Sequence, residues 1–157
     1  MGKEVERKFL VAGTEWRGMV EAEIGIRQFY LGAAPGRTVR VRISDGCSAK
    51  LTLKFGSAAR ERDEYEYQIP LADAEEMLAF ALGRVIEKTR HHVRYRGYLY
   101  EVDVFGGKLA GLVIAELETP EDVPDEMLPA WLGREVTGES RFYNASLALG
   151  GIPEIAA

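Results

Sequence analysis

The stretch Thr38-Val39-Arg40-Val41-Arg42-Ile43-Ser44-Asp45-Gly46-Cys47-Ser48-Ala49-Lys50-Leu51-Thr52-Leu53-Lys54-Phe55 decides the fold of this chain. It alternates, the pattern of strands whose successive side chains point to opposite faces. Val39, Val41 and Ile43 share one face, and Arg40 and Arg42 share the other. Beyond the turn, Leu51, Leu53 and Phe55 oppose Lys50, Thr52 and Lys54. Asp45-Gly46 is a hairpin signal, so the two strands pair, and Arg40 and Arg42 lie beside Lys50 and Lys54 in either plausible register. Like charges as cross-strand neighbours are destabilising unless an anion sits between them.

The same period of two extends in both directions. Glu4 to Val11 sets Glu4, Glu6 and Lys8 against Val5, Phe9 and Val11. Ile26 to Leu31 is an apolar and aromatic run, and Arg62 to Ile69 sets Arg62, Glu64, Glu66 and Gln68 against Tyr65, Tyr67 and Ile69. Strands are predicted again over Val85 to Tyr95, Tyr98 to Phe105 with Gly97 as the turn between them, and Leu112 to Thr119. Pro70 closes one strand, Asp73 is placed to cap a helix running to Leu82, and Ser140 to Leu149 is read as a short terminal helix ended by Gly150-Gly151. Eight strands, few helices and no βαβ alternation predict an antiparallel α+β protein.

Charge is segregated along these strands. Lys88 and Arg90 stand two apart, as do Glu4 and Glu6, Glu101 and Asp103, and Glu116 and Glu118. That spacing puts both members of a pair on one face. Alternation alone fits an open sheet with one wet face. Two carboxylate pairs brought together, however, repel unless a cation bridges them, and hard divalent cations prefer oxygen ligands. Eight strands can also close into a barrel just wide enough for side chains or one small ligand. Closed with the charged face inward, such a barrel holds an anion cradle and a metal site, and its apolar exterior needs covering by helices and long loops.

Composition narrows the function. The 157 residues suggest one domain, 1–157, and a formal net charge of −5 argues against a generally basic nucleic-acid surface. No apolar run approaches the roughly 20 residues that span a bilayer. The charged run Lys3-Glu4-Val5-Glu6-Arg7-Lys8 stands where a signal peptide needs apolar residues, so a cytoplasmic location is expected. The single cysteine, Cys47, excludes an internal disulfide and a multi-cysteine zinc site, and it has no partner for nucleophilic work. No phosphate-binding glycine loop, zinc-protease motif or nucleophile elbow occurs. Adjacent His91 and His92 point to opposite sides of a strand, Lys50 is expected at a rim, and Tyr30 either borders the cavity or packs.

Read in order, Glu4-Val5-Glu6-Arg7-Lys8, Arg40-Val41-Arg42, Leu53-Lys54, Arg62-Asp63-Glu64-Tyr65-Glu66, Lys88-Thr89-Arg90, Glu101-Val102-Asp103-Val104-Phe105 and Ala115-Glu116-Leu117-Glu118 resemble the CYTH superfamily of triphosphate tunnel metalloenzymes. The resemblance continues to Glu135-Val136-Thr137 and Tyr143-Asn144 and is strongest to small bacterial members with inorganic triphosphatase activity. It implies an eight-stranded antiparallel tunnel and metal-dependent hydrolysis of a triphosphate, with inorganic tripolyphosphate favoured and nucleoside triphosphates weaker. Carried onto matching positions, Glu4, Glu6 and Glu118 become the main ligands of Mg2+ or Mn2+. Glu116 and Asp103 support a second metal or orient the attacking water, so that Glu4, Glu6, Lys8 and Asp103 form the catalytic set. Lys8, Arg40, Arg42, Lys54, Lys88 and Arg90 hold phosphate oxygens. Glu64 or Glu66 belongs to the same region, and Arg141 is placed at one tunnel mouth. An adenylyl cyclase, a thiamine triphosphatase and a polyphosphate-binding module stay open as alternatives, and so do monomer and homodimer. No membrane or nucleic-acid partner is expected.

Overall fold

The computed structural model describes residues 2–58 and 60–150. Its strands are β1 (Gly2–Val11), β2 (Val20–Ala34), β3 (Arg37–Ser44), β4 (Ser48–Phe55), β5 (Glu61–Ile69), β6 (Leu82–Tyr95), β7 (Tyr98–Phe105), β8 (Val113–Glu118) and β9 (Leu132–Glu135). The helices are α1 (Leu71–Met77) and α2 (Asn144–Gly150). All strand pairs are antiparallel, in the order β5-β4-β3-β2-β6-β7-β8-β1-β9, and β5 also pairs with β1. That last pairing closes eight strands into a barrel. No helix among the described residues is long and apolar enough to cross a membrane.

The hairpin around Asp45-Gly46 forms with Arg42 opposite Lys50, Arg40 opposite Thr52 and Thr38 opposite Lys54. Asp45 and Gly46 take φ of 51° and 65°, the positive values that tight hairpin turns need. Arg96 and Gly97, at 50° and 82°, do the same between β6 and β7.

Three differences from the sequence reading bear on the site. The strand expected over Ile26 to Leu31 runs instead for 15 residues, because its N-terminal end pairs with β6 and its C-terminal end with β3. The helix expected to reach Leu82 ends at Met77 and passes into a 3-10 turn, Leu78–Phe80, since Leu82 is already in β6 beside Tyr30. The ninth strand, β9, is an addition to the eight expected. β1 pairs with β5 only through Gly2 to Val5, and β9 takes up the vacated edge from Phe9 to Val11.

The exterior is apolar and covered. α1 packs Ala74 and Leu71 onto Phe29, Val41, Ile43 and Ala49. Trp16, from the turn Glu15–Met19, and Val123 and Trp131, from the segment before β9, cover Val93, Tyr100, Val102, Ala115 and Leu117. A third cluster joins Ile86, Phe105 and Ile114 to Phe142, Leu147 and Ala148 of the C-terminal segment. Ile86, Phe105 and Ile114 lie two residues from Lys88, Asp103 and Glu116 respectively, hence on the same strand faces. This cluster therefore plugs one end of the barrel from within.

Candidate active site

The charged faces turn inward. They line a cavity of about 210 Å³ bordered by Glu6 and Lys8 of β1, Tyr30 of β2, and Thr38, Arg40 and Arg42 of β3. Lys54 of β4, Arg62, Glu64 and Glu66 of β5, Arg90 of β6, Glu101 of β7, and Glu116 and Glu118 of β8 complete the wall. Tyr143, Asn144 and Ala145 approach from the C-terminal segment. Closure thus brings Glu6, Lys8, Arg40, Arg42, Lys54, Arg90, Glu116 and Glu118 around one space. The side chain of Glu4 lies outside the described residues; its backbone pairs with Arg62. Lys88 and Asp103 share the inward faces but lie beneath the cavity and do not line it, with side chains 0% and 1% exposed.

Beneath the cavity lies a buried knot. Arg90 grips Asp103 in a bidentate pair, Nε to Oδ1 at 2.8 Å and an Nη to Oδ2 at 2.9 Å. Lys88 Nζ approaches the same carboxylate at 2.7 Å. Two cations therefore share one anion. Against burial, Arg90 and Lys88 hold Asp103 down at about 2. Burial pushes Lys88 down to about 7, with Arg90 and Arg42 adding to the push and Asp103 resisting it. Arg42 is likewise pushed to about 9, by burial and then by Arg40 and Arg90. Both shifts come first from burial and then from neighbouring cations, so the crowding of Arg40, Arg42, Lys88 and Arg90 is relieved by an anion placed among them.

Unmet donors point the same way. Arg40 Nε and Gln28 Nε2 are buried without a hydrogen-bond partner, an arrangement folded proteins avoid unless a ligand or water completes it. Gln28 spends its oxygen on Arg42 Nε at 3.1 Å, which aims the Arg42 guanidinium. Arg40 reaches Thr52 Oγ1 at 3.3 Å, and Thr52 in turn donates to Glu66 at 3.1 Å.

The carboxylates stand across from these cations. Glu6 pairs directly with Glu118, Lys8 with Glu116, and Glu101 with Glu116, so β1, β8 and β7 carry a ladder of acids. A hydrogen bond from Glu6 is among the causes that hold Glu116 low, a contact that needs one carboxyl to carry a proton, whose place a bridging cation can take. Against burial, Lys8, Glu6 and Arg90 hold Glu116 well below the usual carboxylate range. Also against burial, Glu116 and Glu6 hold Lys8 above its ordinary value. Among the described residues no three His, Cys, Asp or Glu side chains form a ready-made metal cage. Even so, an oxygen-only pair with Glu118 next on the ladder suits a hard dication. Asp103 has both of its oxygens engaged by Arg90 and Lys88.

Other expectations resolve by position. Glu64 and Glu66 both reach the cavity, Glu64 3.7 Å from Lys54. Lys50 is exposed and pairs with Glu66 at 3.3 Å, at the rim. His91 faces outward against Trp16, while His92 Nε2 lies 3.4 Å from Glu101. Arg141 is exposed, pairs with Glu139 at 3.2 Å and does not line the cavity. Arg62 and Gln28 join the site without having been expected there. Arg62 shares its strand face with Glu64 and Glu66, a signal the sequence does contain; Gln28 sits in an apolar run that conceals it.

A CYTH domain model matches residues 2–148. The chain is similar to the inorganic triphosphatase of Acetivibrio thermocellus, 40% identical over 148 residues that make up 94% of each chain. It is also similar to the inorganic triphosphatase of Nitrosomonas europaea, 39% identical over 150 residues, 93% of this chain and 97% of that one. The solved structure of the inorganic triphosphatase NE1496 superposes with a TM-score of 0.68 at 34% identity, covering 98% of this chain and 99% of the other. With the match spanning nearly all of the barrel and its C-terminal segment, the chain belongs to the CYTH domain family.

Proposed function

We propose that this chain is a cytoplasmic, metal-dependent triphosphatase that cleaves the terminal phosphoanhydride of a linear triphosphate. Inorganic tripolyphosphate is the favoured substrate and nucleoside triphosphates are weaker ones. The observation that carries this reading is the enclosure of Lys8, Arg40, Arg42, Lys54 and Arg90 with the Glu6–Glu116 pair around one cavity. Arginine forks suit bidentate contact with phosphate oxygens, and lysine adds point charge. Phosphoryl transfer asks the protein mainly for positioning and charge stabilisation.

Arg40 and Arg42 hold phosphate oxygens in this reading, Arg42 aimed by Gln28. Lys88 and Arg90 add charge from the wall. Asp103 organises those two cations rather than binding metal. Glu4, Glu6, Glu116 and Glu118 are the residues that hold Mg2+ or Mn2+, which when bound supplies Lewis-acid and templating chemistry. Water attacks the terminal phosphorus and the bridging P–O bond breaks on the opposite side. The proton water loses passes to a carboxylate of the ladder. Orthophosphate and diphosphate leave.

The test is to incubate the protein with tripolyphosphate, ATP or thiamine triphosphate, first with Mg2+ and then with Mn2+, and to identify the products. Orthophosphate, released fastest from tripolyphosphate, is the expected result. Cyclic AMP with pyrophosphate would mean a cyclase, and tight binding without turnover would mean a binding module.

A further inference from the structure

A second cavity, of about 560 Å³, adjoins the first and shares Thr38, Lys54, Arg62, Tyr143 and Ala145 with it. Its own walls include Ala33, Ala34, Pro35 and Leu149, so it is an outer vestibule of mostly small and apolar residues. Tyr143 stands at the partition. Its ring lies 4.3 Å from the Arg62 guanidinium carbon and 5.6 Å from Lys8 Nζ.

The ring is held from behind. Phe142, before it, is fully buried in the plug, and Leu147, equally buried, donates its backbone N–H to the Tyr143 carbonyl at 2.9 Å. A guanidinium stacked on a fixed ring keeps its N–H edge free and oriented. Arg62 takes no part in the triphosphatase chemistry proposed for the inner cavity, yet it borders both chambers.

We infer that Tyr143 is a positioning and specificity-determining residue: its ring orients Arg62 toward the phosphate nearest the vestibule and walls off the space behind it. An unsubstituted end phosphate gains the full Arg62 contact. A phosphate ester carrying a nucleoside must pass the ring and displace it from Arg62, so it gains less. The inference rests on the triphosphatase reading for its kinetic form, while its binding form stands without turnover.

The test compares kcat/KM and calorimetric affinity for tripolyphosphate and for ATP in the whole protein. Tyr143→Ala should lower kcat/KM for tripolyphosphate about 3- to 30-fold, mostly through KM, as loss of a cation–π contact at a partly desolvated site implies. ATP should change less, so the preference for tripolyphosphate narrows. Tyr143→Phe, which keeps the ring, should retain the preference. Arg62→Ala should reproduce the tripolyphosphate loss, and the double variant should add little to it. If Tyr143→Ala does not fold, Tyr143→Leu, which keeps apolar bulk without an aromatic face, replaces it with the same expectation. Equal losses on both substrates, or fully additive effects of the two substitutions, would overturn the inference. If the unaltered protein hydrolyses neither substrate, the function proposal fails, and the affinity ratio alone then decides the role of Tyr143.

Discussion

On four strands the inner face of the barrel changes character within two residues. Lys8 gives way to Leu10 on β1, Lys88 to Ile86 on β6, Asp103 to Phe105 on β7 and Glu116 to Ile114 on β8. The first set frames the cavity and its buried ion knot, and the second packs with the C-terminal segment into an apolar plug. Each side chain buried in the plug stabilises by roughly 1.5–3 kcal/mol. Each charge buried in the other half costs desolvation, against which its carboxylate partners (Asp103, Glu101 and Glu116 for Arg90) must be set. The barrel thus separates stability from function by height, and the plug also keeps water from one end of the charged wall.

Four measurements test this division of labour between plug and cavity. The largest effect belongs to the plug: Phe142→Ala should cost about 4 kcal/mol in urea unfolding, as large-to-small changes in packed cores do. A cost no larger than that of a surface change would mean the plug is not core.

Asp103→Asn should come next, at about 3 kcal/mol near neutral pH, because it leaves Lys88 without its buried counter-charge and costs Arg90 its bidentate partner, leaving only the longer contacts to Glu101 and Glu116. Its pH signature has a definite sign. The folded carboxyl titrates at about 2, below the roughly 3.9 of an unfolded chain. Its contribution is therefore complete above about pH 4 and lost as pH falls through 2. The stability gap between the original protein and the variant should shrink across that window, and a gap constant with pH would refute the paired state of Asp103.

In the charged half proper, Glu6→Gln should lower metal-dependent turnover about 100-fold, roughly 2.7 kcal/mol of barrier, while stability moves by under about 1 kcal/mol. Glu4→Gln should behave alike. Matching losses in turnover and stability would return both residues to a structural role.

The smallest change should carry the opposite sign. Lys88→Met replaces an under-compensated ammonium with an apolar chain of similar length, and should stabilise by about 1 kcal/mol at pH 7 while weakening tripolyphosphate binding. Lys88 titrates near 7 in the folded state, against roughly 10.4 unfolded. The unfolded chain therefore holds more protons between those values, and stability of the original protein should rise with pH across that window. The variant should lack the rise.

Much of this architecture is legible in the residues alone. The hairpin around Asp45-Gly46 and the inward sets of β1, β3, β4, β6 and β8 follow from period two, because a strand offers only two faces. β9 is not legible: Leu132-Gly133-Arg134-Glu135 has no alternation, and it is a strand only because β5 leaves the edge of β1 at Val5. The length of β2 is hidden by Glu23 and Gly25, residues that look like loop until β6 pairs with them. Period two puts Lys88 and Asp103 on the inward face beside the residues that line the cavity, yet each is fully buried beneath it. Alternation gives the side of a strand but not the depth along the barrel axis.

The order of residues dictates which side chains travel together, since i and i+2 must share a face, and which charges stand as cross-strand neighbours in a hairpin. Closure of the barrel is what makes the shared face an interior. That depends on β1 meeting β5 and β8, segments tens of residues apart whose pairing no local pattern encodes. It also decided which of the gathered charges see the cavity and which serve behind it, because burial is set by the whole closed wall and not by any one strand.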